Sequence, residues 1–145
     1  MSTTASQTVI ASLLPHELPD APAARILLYT FRRMAAHGLQ DAQAAQAMLG
    51  AFGARFQRPL IALRALVADL SAQAGGPIRI APCCCCRMTA AEAALLDSLG
   101  RVERQPETAR LLLADLAGIR HGDGLFATAL LVAGAWADMG HSIAA

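Results

Sequence analysis

Through most of this chain apolar residues recur three and four positions apart, the spacing of one face of an α-helix. Leu27, Phe31 and Met34 mark the first such face. Pro22 suits a first helical turn and Gly38 a left-handed stop, so the spacing predicts a helix over Pro22 to His37. Arg25, Tyr29, Arg32 and Arg33 fall toward its other side and are expected in solvent. Asp41 caps a second helix, Ala42 to Phe52, which Gly53 ends. Leu60, Leu63, Leu66, Val67 and Leu70 form a broad stripe on a third, Pro59 to Ala74, closed by Gly75-Gly76-Pro77.

Ile78-Arg79-Ile80 then alternates as a short extended segment does. Thr89 and Glu92 compose a capping box ahead of Leu95, Leu96 and Leu99, with Gly100 as the stop. Pro106 opens a fifth helix ending at Gly118. Asp123 caps the last, Leu125 to Met139, whose apolar residues run nearly all round and predict a central position. Residues 1–20, rich in Ser, Thr and Gln before Pro15 and Pro19, read as a mobile leader whose Leu13-Leu14 docks on the body. The expectation is an all-α, compact bundle of five to six helices over residues 21–145, a single domain, with a short extended segment before a Cys-rich loop.

Composition changes this picture in two places. The 145 residues suit one domain with a substantial core, and a formal net charge of +1 gives no global field toward nucleic acid. The arginine-tyrosine face could in principle hold phosphate or RNA, but the balanced charge argues against nucleic acid as a partner. All twelve basic residues are arginine and asparagine is absent, which points to a GC-rich bacterial genome. The longest uncharged stretch of the C-terminal half, Leu125 to Ala137, is shorter than the roughly twenty residues of a membrane span. With no basic residue before Arg25, the start reads poorly as a signal peptide, so the expected compartment is the cytoplasm.

Every cysteine lies in one run, Cys83-Cys84-Cys85-Cys86. Consecutive Cα atoms are about 3.8 Å apart, short of the usual 4.4–6.8 Å or so for a disulfide. The useful pair is Cys83 and Cys86, a Cys-x-x-Cys spacing. It could hold zinc or another thiophilic metal with His121, which has Asp123 beside it, or with His37; three thiolates would suit Cu(I). It could instead do redox chemistry, with Cys86 the reactive thiol nearest a helix N-terminus and Arg87, and Cys83 resolving. The third reading is buried apolar filler, to which Cys84 and Cys85 fit best. No serine, histidine and carboxylate arrangement points to a hydrolase, and Trp136 and Met139 read as core.

Phe31-Arg32-Arg33-Met34 with His37-Gly38-Leu39, Arg58-Pro59-Leu60, and Ala81-Pro82-Cys83-Cys84-Cys85 with Arg87-Met88-Thr89 and Glu92 resemble a family of small alphaproteobacterial proteins of unknown function. The resemblance implies no activity and no functional residues. The chain thus reads as a non-enzymatic helical binding or regulatory module holding a metal through Cys83 and Cys86, or else as a thiol-redox protein using the same pair. A protein partner or a second copy of the chain would be its partner class, and no membrane is expected.

Overall fold

The computed structural model describes residue 14 and residues 16–143. Most of the predicted leader, with the docking of Leu13, lies outside the described residues. The bundle is all-α as expected, with six helices among the described residues. They are α1 (Pro22–His37), α2 (Ala42–Phe52), α3 (Gln57–Gln73), α4 (Ala90–Arg101), α5 (Pro106–Ala117) and α6 (Asp123–Asp138). A 3-10 turn, Gly53–Arg55, joins α2 to α3. No described helix is long and apolar enough to cross a membrane.

Short connections make hairpins of α1 with α2 and of α4 with α5. The most extensive pairing is between α3 and α6. They run antiparallel, because Arg58 at one end of α3 meets Asp138 at 3.0 Å while Gln73 at the other packs on Gly124. Leu27, Met48, Leu63, Leu66, Leu95, Leu99, Leu113, Leu125 and Val132 have essentially no exposure, so all six helices supply one core. Trp136 is also fully buried, edge-on to Phe52 at 5.2 Å, which fastens α6 to α2.

Several boundaries differ from the expectation. The third helix starts at Gln57, because Pro59 lies in the first turn, where its missing N–H would have no helical partner anyway. Gly100 does not stop α4; it lies inside, and the buried Leu99 and Val102 on either side hold the chain to the core past it. Asp123 makes no capping hydrogen bond and is instead the first residue of α6. Nor is α6 central: Leu125, Ala129, Val132 and Trp136 face inward, while Leu130 and Leu131 are 42% and 60% exposed.

Ile78-Arg79-Ile80 pairs with no strand among the described residues. With Phe31, Met34, Val67 and Leu70, Ile78 and Ile80 line an open apolar groove of about 440 Å³. The described strands are β1 (His16–Glu17) and β2 (Arg87–Met88), antiparallel with His16 opposite Met88 and Glu17 opposite Arg87. This two-residue ladder ties the end of the predicted leader to the segment just after the cysteines. Where α5 ends, Gly118 takes φ 67°, a left-handed conformation that few other residues accept.

Candidate functional site

The cysteine run crosses over α1 and enters α4, and it is held from below by a residue expected in solvent. Arg32 is only 2% exposed. Its Nε donates to Glu92 Oε2 at 2.6 Å and its Nη2 to Glu92 Oε1 at 3.0 Å, a bidentate ion pair between α1 and α4. The remaining donors reach the loop: Nη1 to the carbonyl of Cys85 at 2.9 Å and Nη2 to that of Arg87 at 2.8 Å. One guanidinium thereby fixes the backbone on both sides of Cys86.

Glu92 is fully buried and serves both elements. Its Oε1 also accepts the Thr89 N–H at 2.9 Å, while the Thr89 hydroxyl accepts the Glu92 N–H at 3.1 Å, completing the capping box. The same hydroxyl donates to the Arg79 carbonyl at 2.8 Å, so the two ends of the loop are stitched together. Between them the Cys85 N–H closes a turn onto the Pro82 carbonyl at 3.0 Å. Arg87 Nε donates to the Leu14 carbonyl at 2.8 Å.

On this scaffold Cys83, Cys84 and Cys86 are exposed and Cys85 half-buried, all as free thiols. Core filler is therefore excluded for Cys84 and not met by Cys85. Cys83 stands beside Arg33, the next residue of α1, which also forms a bidentate pair with Asp41 at 3.0 and 2.9 Å. Asp41 first, and the Cys83 thiol after it, raise the Arg33 guanidinium above its ordinary value, against the effect of burial. Arg32 and Arg33 are thus engaged within the protein, which removes two of the four residues of the suggested phosphate-binding face.

The Arg33 guanidinium, helped by the Ala44 N–H, in turn holds the Asp41 carboxyl below the usual carboxylate range. A depressed folded-state value means that this contribution to stability is present above the unfolded carboxylate value, about 3.9, and is lost as pH falls through the folded one. Asp41→Asn keeps a competent cap but removes the charge. Its denaturation midpoint is expected to fall below wild type at neutral pH and to converge with it in acid, as urea titrations at the two pH values would read. Equal offsets at both would contradict the charge assignment.

The described residues contain no group of three or more His, Cys, Asp or Glu side chains placed to hold a metal ion. Cys83 and Cys86 share one loop, but neither His121, on the α5–α6 connection, nor His37, at the end of α1, completes such a group with them. A three-thiolate arrangement is not formed either. Arg32 is the residue that sequence reasoning missed. Its signal lay in Glu92, which is three, four and seven positions before Leu95, Leu96 and Leu99, on the buried face of α4. A carboxylate there calls for a buried cation.

A family described as a family of unknown function (DUF6628) matches residues 6–105, which include α1 to α4 and the whole cysteine loop. No curated protein and no solved structure matches the chain.

Proposed function

Because the chain belongs to the DUF6628 family of unknown function, whose description names no activity, we propose a function from its own geometry: a non-enzymatic helical regulatory module that works through the thiols of the Cys83–Cys86 loop. The observation that carries this reading is the exposure of Cys83, Cys84 and Cys86 on a loop whose backbone is fastened by Arg32, Glu92 and Thr89. Cysteine is among the residues most often buried, so three exposed thiols on an anchored turn are placed for chemistry with something in solution. Residues 21–145 act as one domain, and the setting is a reducing cytoplasm, where the thiols stay free until an oxidant arrives.

The reaction is thiol–disulfide exchange at Cys83 and Cys86. Two thiols give up two protons and two electrons and become one disulfide, while a small-molecule disulfide accepts them as two thiols. Treating folded protein with such a disulfide is expected to yield one intramolecular bridge, lost in both Cys83→Ser and Cys86→Ser and reversed by a reducing agent. Mass spectrometry of the digested product reads the bridge. Bridges joining separate chains only, or none while the thiols remain intact, would refute exchange within the pair.

A thiophilic metal held by Cys83 and Cys86 is the second reading, supported by the same exposure. Zinc or copper bound one per chain after purification under reducing conditions, with loss in either serine variant, would favour it over exchange.

A further inference from the structure

The open groove between α1 and α3 has the walls of a site for an aliphatic segment. Phe31 and Met34 of α1, Val67 and Leu70 of α3, and Ile78 and Ile80 line its volume of about 440 Å³. No charged side chain lines it, and Ser71 is the one polar side chain on its wall. Ile78 and Ile80 are half-buried, so aliphatic surface stays uncovered by the described residues. Such a groove favours an uncharged apolar occupant and disfavours a charged one.

A segment of that chemistry is attached to the same chain. Residues 1–13 lie outside the described structure and join it at Leu14. They contain no Asp, Glu, Lys, Arg or His. Val9, Ile10, Leu13 and Leu14 fall at the spacing of one helical face, so their apolar surface can enter a groove as a unit. The family match begins at residue 6 and so takes this segment in. Its point of attachment is on the groove's side of the molecule. The Leu14 carbonyl accepts from Arg87 Nε at 2.8 Å, and in the antiparallel β1–β2 register the chain before His16 leaves past Met88, toward Thr89. The Thr89 hydroxyl donates to the Arg79 carbonyl at 2.8 Å, which sets that exit beside the Ile78 and Ile80 wall. From Leu14 to Val9 the chain can span up to about 17 Å. A tether this short holds the segment at an effective concentration of roughly millimolar order, so weak apolar contacts are enough to seat it.

We infer that this groove is the docking site of the chain's own residues 9–13, seated through Val9, Ile10 and Leu13. The inference goes beyond the thiol reading and stands without it. The leader is then a strap from the groove to the β1–β2 ladder beside the cysteine loop, and it shuts the groove to other apolar segments.

Photo-crosslinking of the full chain tests this. With Ile10→p-benzoylphenylalanine, illumination of folded protein should join position 10 to Met34, Ile78, Ile80 or another groove residue of the same chain. Fragment spectra read the site, and the yield should not depend on protein concentration. Ala35 and Ser71 are exposed at the groove, so Ala35→Arg with Ser71→Arg brings charge to it without emptying the core. In the probe-bearing chain that pair of changes should lower the groove cross-link about tenfold, and Val9→Asp with Leu13→Asp should do the same. Circular dichroism confirms the fold of each variant. Cross-links to other parts of the chain, or none from folded protein, would overturn the inference. A cross-link to the groove of a second chain, with a yield that rises with concentration, would overturn it in favour of exchange between copies.

Discussion

Arg32→Ala is expected to lower folding stability by about 3–5 kcal/mol, because it strands Glu92 as an unpaired charge in the core. Glu92 has no exposure and loses two of its three side-chain hydrogen bonds when the guanidinium goes. The carbonyls of Cys85 and Arg87 lose their donor at the same time. Glu92→Ala should cost a similar amount, since it leaves a buried guanidinium and also removes half of the capping box, itself worth about 1 kcal/mol. Removing both charges together, as Arg32→Met with Glu92→Met, should destabilise less than either single change, because no charge is left without a partner. Urea titrations of the four proteins give the coupling directly. Additive losses would mean that the pair is not a closed unit. The double variant also separates two roles: it keeps a filled core but frees the loop.

Removing residues 106–145 is expected to abolish cooperative folding, although the family match ends at residue 105. The helices lost, α5 and α6, contribute Leu113, Leu125, Val132 and Trp136 to the shared core, and α6 is the principal neighbour of α3. Without them Leu63 and Leu66 would have lost the helix that α3 packs against most extensively. The cost far exceeds the marginal stability of a domain of this size, about 5–15 kcal/mol. A milder variant, Trp136→Ala, should cost about 3–5 kcal/mol through the cavity left against Phe52. Circular dichroism and thermal melting check both. A sharp melting transition in the shortened chain would show that α1 to α4 form a self-sufficient core.

How much of this was legible in the sequence depended on how local each cause is. The bounds of α1 and α2, the capping box at Thr89 and the end of α5 at Gly118 rest on residues within one turn of one another, and each reads off directly. Arg32 and Glu92 are 60 residues apart, and nothing near Arg32 says which side of α1 another segment will cover. Glu92 alone carried a trace, as a carboxylate on an apolar face. The β1–β2 ladder is two residues long, too short for any alternation to show. The central position expected of α6 failed because its outer face carries exposed Leu130 and Leu131, so apolar residues all round did not require neighbours all round. For the cysteines, spacing picked out Cys83 and Cys86 as a pair. Residue type favoured burial, and the turn at Pro82 with the Arg32 anchor decided otherwise.

The central claim is that this fold presents a fastened loop of accessible thiols, and the rate of alkylation of each cysteine in the folded protein tests it most directly. With a small neutral reagent under native conditions, Cys83, Cys84 and Cys86 should be labelled without unfolding and Cys85 more slowly. In the Arg32→Met, Glu92→Met protein Cys85 should approach the other three. Labelling of all four that waits for global unfolding would contradict the account.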